Sequence, residues 1–150
     1  MRELAIEVMV PDRKVEEVYE ILCDFKRYPD YTPEVRSVTL ESSGGEHFST
    51  WETTFRGGIL RWRERDSFDP VTNTIGFEQT EGDIEQFSGW WKIDGENGGS
   101  SVRFRAQFDM GIPSLSDIID PIAEQALREN IIAILRGLFG PQVVVLPAAG

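Results

Sequence analysis

Two carboxylates two residues apart, Glu64 and Asp66, stand in the stretch LRWRERDSF with Trp62 just before them. On a strand, residues of one parity share a face, so Leu60, Trp62 and Phe68 carry Glu64 and Asp66 to the apolar side. Arg61, Arg63, Arg65 and Ser67 then face water. Side chains so spaced stand roughly 6.5 to 7 Å apart, where two charges at an effective dielectric near 20 repel by about 2.4 kcal/mol, or roughly 1.7 pKa units. If the pair is also partly desolvated, one of the two holds a proton near neutrality. Neighbouring carboxyls in different protonation states supply a general acid and a general base. In the alternative arrangement Asp66 lies at an open rim near the turn after Phe68, and a bulge turns Glu64 outward.

The same parity rule fills in the surroundings. Trp51, Thr53 and Phe55 form one inward set, and Ile75, Phe77 and Gln79 a second. Phe87, Gly89, Trp91 and Ile93 form a third, with Trp90 left outside or at a rim; Val102, Phe104, Ala106, Phe108 and Met110 form a fourth. None of these sets contains a lysine or arginine to neutralise the carboxylates. Trp51, Trp62, Phe77, Phe87, Trp91, Phe104 and Phe108 therefore line a ligand cavity or fill a core. A curved sheet and a straight helix do not match in shape, which favours the cavity. Asn130, the one polar residue within a helical apolar stripe, either offers hydrogen bonds to a ligand or sits at the stripe's edge. Cys23 reads as a small packing residue and His47 as a surface one, since neither has a partner in a nucleophile or base motif.

The elements that must position these residues follow from periodicity. LAIEVMV alternates as a strand, and Pro11-Asp12 ends it and caps a helix carrying Val15, Val18, Tyr19 and Leu22. That helix breaks up at Pro29 and Pro33. Six strands follow from Val35 to Met110 with short turns between them, which makes consecutive strands antiparallel neighbours. From Pro113 to Gly140 runs a long amphipathic helix with Leu115, Ile118, Ile119, Ile122, Ala126, Ile131, Ile134, Leu135 and Leu138 on its stripe. Ser114 or Ser116 is expected to cap it, Pro121 to bend or restart it, and Gly140-Pro141 to stop it. The pattern is α+β, a curved antiparallel sheet of about seven strands gripping a long C-terminal helix, in a single domain spanning residues 1–150. The tail 141–150 is left to dock on the sheet, cover an edge or pair with another subunit.

Composition narrows the function. A net charge of −11 from 26 acidic and 15 basic residues repels nucleic-acid phosphates and anionic lipid. The N-terminus has no basic start before an apolar run and no stretch reaches a membrane span, so a cytoplasmic protein is expected. One cysteine and one histidine exclude an internal disulfide and an ordinary zinc site, so no metal is expected.

The order of elements, the stretch FKRYPDYTPEV, the Trp62, Glu64, Asp66 run and FEQTEGDIEQFSGWW together resemble the polyketide cyclase/dehydrase and lipid-transport superfamily, the START-like helix-grip fold. The likeness extends from about Glu3 to Leu138. It implies an elongated apolar ligand held between sheet and helix and, for the aromatase/cyclases of the family, aldol condensation and dehydration of a poly-β-ketone with no metal or redox cofactor. Some first-ring cyclases carry an inward arginine on the strand corresponding to LRWRERDSF. Here Asp66 takes that place, Gln79 stands where a second arginine can occur, and Arg65 is on the other face. The implied catalytic set is thus Glu64 and Asp66 exchanging protons and Gln79 orienting a carbonyl, with the aromatic set and Asn130 binding substrate. The rival readings are a carrier of a quinone, lipid or other hydrophobic molecule without chemistry, and a protein that sequesters a toxic metabolite. An acyl carrier protein is a further candidate partner, through the Arg61, Arg63 and Arg65 face; the oligomeric state is monomer or homodimer.

Overall fold

The computed structural model describes residues 1–147. Eight antiparallel strands form one sheet in the order β2-β3-β4-β5-β6-β7-β1-β8. They are β1 (Arg2–Val10), β2 (Val35–Ser43), β3 (Glu46–Phe55), β4 (Gly58–Asp69), β5 (Thr74–Gly82), β6 (Gln86–Glu96), β7 (Gly99–Asp109) and β8 (Val144–Val145). Between β1 and β2 lie α1 (Val15–Cys23), a 3₁₀ turn at Phe25–Arg27 and the short α2 (Tyr28–Tyr31); α3 (Ser116–Phe139) crosses the concave face. This is the α+β helix-grip architecture.

The strand beyond the seven expected comes from the tail. Val144 and Val145 pair with Met9 and Val8, Leu146 N–H donates to the Glu7 carbonyl, and Val143 is buried. The tail thus covers the β1 edge, which would otherwise offer unpaired backbone groups. Residues 148–150 of the expected tail lie outside the described residues.

Three details of the helices differ from expectation. Neither α1 nor α3 has a side-chain cap: α1 starts after Lys14 rather than Asp12, and Leu115 precedes α3 in place of a capping serine. α3 runs through Pro121 without a restart. Its buried stripe is Ala123, Leu127, Ile134, Leu135, Leu138 and Phe139, whereas Leu115, Ile118 and Ile122 are exposed, Ile118 by 63%. Neighbouring helical positions are about 100° apart, so Ile118 and Ile122 lie on a different face from Ala123 and Leu127. The apolar periodicity alone merges the two faces into one.

α3 is seated on α2 at Gly137. A Cβ there would lie 2.5 Å from the Tyr31 carbonyl oxygen and 2.8 Å from Thr32 Cβ. Gly137→Ala is therefore expected to destabilise the protein by about 1–3 kcal/mol, the usual result of overpacking a rigid contact. Chemical denaturation measures it, and an unchanged midpoint would show that α3 can shift without cost.

Candidate functional site

The concave face and α3 enclose a hollow at the centre of the molecule. Sheet residues Trp51, Thr53, Phe55, Leu60, Trp62, Glu64, Ile75, Phe77, Phe87, Trp91 and Phe104 line it. Leu127, Asn130, Ile131 and Ile134 of α3 close it, and Phe25 and Tyr28 form one end. Measured out to its mouth the hollow is ≈ 650 Å³, but only ≈ 60 Å³ is free on the measure by which one water needs roughly 10–15 Å³. The smaller figure leaves room for a few waters. An extended ligand must push the walls apart.

The aromatic wall is ordered by ring contacts. Trp51 and Trp62 are cross-strand partners whose rings stack in parallel, 5.9 Å apart at 2°. Phe87 meets Trp62 edge-on at 5.7 Å, and Phe104 stacks on Phe77 at 5.8 Å and meets Trp91 at 4.5 Å. Such arrangements match positive ring edges to negative faces.

Glu64 and Asp66 both point inward and are only 5% exposed. The pairing between β4 and β5 does shift beside Glu64, but the step runs from Glu81 to Gln79, so the extra residue is Thr80 on β5. Alternation along β4 survives, and Glu64 keeps its inward face. Trp62 Nε1–H donates to Glu64 Oε1 at 2.6 Å. Trp51 Nε1–H donates to Ser49 Oγ at 2.7 Å, and the Ser49 hydroxyl donates to Asp66 Oδ2 at 2.6 Å. Asp66 Oδ1 is buried with no donor of its own.

Among the described residues neither carboxyl is in an ion pair. The nearest arginines in sequence are engaged on the convex face: Arg61 with Glu52 at 3.4 Å, Arg63 with Glu41 at 3.1 Å, and Arg65 with Glu46 at 3.5 Å and Glu78 at 3.8 Å. Arg63 also lies over the Phe48 ring, 4.0 Å from its centre. That face is charge-matched by its own glutamates, as expected for the solvated outer face of a strand with acidic neighbours.

Burial pushes the Glu64 carboxyl well above the usual range, and the adjacent Asp66 carboxyl adds to this; the Trp62 indole N–H and the nearby Ser49 hydroxyl oppose it. Asp66 is raised too, again by burial, against the influence of the adjacent Glu64 carboxyl, the Ser49 hydrogen bond and the charge of His47. The folded protein therefore keeps a proton on Glu64 at pH values where an unfolded glutamate, near 4.3, has lost it. The unfolded chain then binds fewer protons, and stability falls as pH rises from about 4 towards the folded value. Glutamine at position 64 keeps the shape and removes the titration. Glu64→Gln is expected to match wild type in stability near pH 4 and to exceed it increasingly at neutral and higher pH, by about 1.4 kcal/mol for each unit separating folded and unfolded values. Parallel denaturation curves at both ends of that range would contradict it.

A family model described as polyketide cyclase/dehydrase and lipid transport matches residues 11–135. The chain belongs to that family. Among solved structures it is similar to TTHA0849 from Thermus thermophilus, at 24% identity and TM-score 0.81 over 91% of this chain and 94% of that one. It is also similar to the Zhui aromatase/cyclase from Streptomyces sp. R1128, at 20% identity and TM-score 0.80 over 93% and 92% of the two chains. Major latex-like protein 151 from Panax ginseng shares 14% identity over 91% and 93% of the chains, with TM-score 0.74. At these identities the likeness is one of fold. No curated protein matches the chain in sequence.

Within this polyketide cyclase/dehydrase and lipid transport domain, the residues singled out by sequence separate into three groups. Glu64, Trp51, Trp62, Phe77, Phe87, Trp91 and Phe104 meet at the hollow. Asp66, the next inward position along β4, is off the wall, and Phe108 is fully buried outside the lining, as core. Gln79 and Asn130 each give one amide N–H to a backbone carbonyl, and Asn130 also lines the hollow. Gln79 Nε2 donates to the Ile84 carbonyl and the residue is not on the wall, because β6 stops pairing with β5 after Glu78 and the following loop folds over it. Asn130 Nδ2 donates to the Thr54 carbonyl at 2.6 Å, tying α3 to β3 at the mouth. Phe68, expected inward, is 37% exposed at the end of β4, against Phe25 and His47.

Four residues of the site were not singled out: Phe25 and Leu127 of the lining, Tyr28, and Ser49 beside Asp66. Ser49 has the parity of Trp51 and Thr53, and extending that inward set by one more step would have found it. Tyr28 gives a weaker signal, lying in the proline-broken stretch where no periodicity applies; it is buried, with its hydroxyl donating to the Leu22 carbonyl at 2.6 Å.

Proposed function

We propose that this domain binds an elongated, carbonyl-bearing apolar molecule of the poly-β-ketone type in its central hollow and promotes aldol cyclisation and dehydration there. The observation that carries the reading is Glu64: a buried carboxyl on a mostly aromatic and aliphatic wall, next to Asp66 along β4 and free of any ion pair among the described residues. A domain that only stores hydrocarbon gains nothing from that group, since burying a carboxyl costs free energy that an apolar residue would not.

An aldol step removes a proton from a carbon between two ketones and delivers one to the oxygen of the attacked ketone. Loss of water then takes one more carbon proton and protonates the departing hydroxyl. The carboxyl pair can take one proton from carbon and return one to oxygen in each step, ending as it began. Glu64 is the member that touches the substrate, and Asp66 is the reservoir beside it. Trp62, Trp91 and the phenylalanines set the bend of the chain, which decides which carbons meet.

The reading is tested by adding the purified protein to a reactive poly-β-ketone, free or on an acyl carrier protein, and following the products by mass spectrometry. Faster formation of one dehydrated aromatic ring is expected. An unchanged product mixture at the spontaneous rate, from a protein that does bind the compound, would support the carrier reading. That second reading has its own observation: Gln79 is off the wall and one Asn130 N–H is already given to the Thr54 carbonyl, which leaves Glu64, Thr53 and the rest of the Asn130 amide as the polar groups a ligand meets.

A further inference from the structure

The two indoles beside the carboxyl pair bear on where its proton sits. An indole N–H can only donate, and a serine hydroxyl has one proton to give. Trp51 stands at one end of a chain whose direction is thereby fixed: it donates to Ser49 Oγ, so the Ser49 proton is directed to Asp66 Oδ2. Trp62 likewise makes Glu64 Oε1 an acceptor. Two of the four carboxyl oxygens are thus occupied as acceptors. The remaining oxygens are Glu64 Oε2 and Asp66 Oδ1, and the latter is buried without a donor from any other residue.

We propose that Ser49, aligned by Trp51, is a positioning residue that holds Asp66 as the carboxylate, so that the single proton of the pair resides on Glu64 Oε2. Asp66 receives a hydroxyl hydrogen bond, which favours its charged form, and sits off the cavity wall. Glu64 lines the wall and receives one indole N–H. Burial and the neighbouring carboxylate favour its neutral form. The ionisable groups acting on the pair are few. His47, the β3 partner of Asp66 across the sheet, favours the Asp66 carboxylate, whereas Tyr28 from α2, fully buried, stays neutral. The arrangement assigns the pair an order: Asp66 ionises first, and Glu64 is the acid presented to a ligand.

This inference concerns the same pair as the proposed function but not its turnover, so a protein that proves only to bind would leave it standing. The test is carbon NMR of protein labelled at glutamate Cδ and aspartate Cγ, titrated between pH 4 and 9, with Glu64→Gln and Asp66→Asn to assign the two signals. In wild type Asp66 is expected to ionise at the lower pH and Glu64 to remain protonated at pH 7. Ser49→Ala removes the directed hydrogen bond and is expected to raise the Asp66 midpoint by about one pH unit or more, whereas Ser49→Thr, which keeps the hydroxyl, restores it. The reverse order of ionisation in wild type would overturn the proposal. So would an unmoved Asp66 midpoint in a folded Ser49→Ala protein, or a Ser49→Thr variant that titrates like Ser49→Ala. Should Ser49→Ala not fold, Trp51→Phe, which withdraws the N–H that orients Ser49, is expected to move the Asp66 midpoint in the same direction, and no movement would count against the proposal.

Discussion

Replacing Glu64 by glutamine is expected to lower ring-closing turnover by about 10²- to 10⁴-fold while leaving ligand binding in place. Glutamine has nearly the same shape. Its carbonyl can accept from Trp62 as Glu64 Oε1 does, and its amide can donate towards Asp66, so neither the wall of the hollow nor the charge beside it needs to change. What is lost is the transferable proton. Asp66 cannot replace it, because it lies off the lining. Turnover and product pattern would be compared with wild type alongside a binding titration. An unchanged rate would remove Glu64 from the chemistry and leave a carrier, and a loss of binding equal to the loss of rate would make Glu64 a ligand contact only.

Phe108→Ala is expected to cost about 3–5 kcal/mol of stability, a large part of the 5–15 kcal/mol typical of a folded domain. Phe108 is completely buried at the β6–β7–β1 junction, opposite Phe87 on one side and Arg2 on the other, and does not line the hollow. Truncation there removes packed surface and leaves a void that rigid sheet backbone cannot fill. Phe104, four residues earlier on the same face, does line the hollow. Phe104→Ala therefore has part of its loss offset where the space already exists, and its effect should appear more in ligand affinity. Urea denaturation of both variants separates the two roles. Equal destabilisation would indicate that the hollow is simply core.

Parity made the carboxyl pair legible before any coordinates. Six strands with short turns fixed the meander, and the apolar members of β4 placed Glu64 and Asp66 inside. What parity cannot say is how far along a strand the cavity extends. Phe108 and Phe104 have the same parity, yet only Phe104 meets the hollow, whose helical wall is confined to Leu127, Asn130, Ile131 and Ile134. Gln79 likewise has the inward parity of Phe77, but the parting of β5 and β6 after Glu78 is a property of their pairing and not of either strand alone. The exposed Ile118 and Ile122 show the same limit for helices: a period identifies an apolar face but not which part of it has a partner. The polar partners of Glu64 across the sheet, Ser49 and Gln79, and the engagement of Arg61, Arg63 and Arg65 with glutamates of neighbouring strands, follow from register.

The central claim is that the hollow opens to take a carbonyl compound whose oxygen meets the proton on Glu64. A crystal structure of the protein with an aromatic hydroxyketone, a stable mimic of a cyclised product, tests it most directly. The ligand is expected between α3 and the sheet, against Trp62, Phe87 and Trp91, with a carbonyl oxygen about 2.5–3.0 Å from the Glu64 carboxyl. A ligand seated elsewhere, with the hollow still closed, or one in the hollow whose oxygens all point away from Glu64, would contradict it.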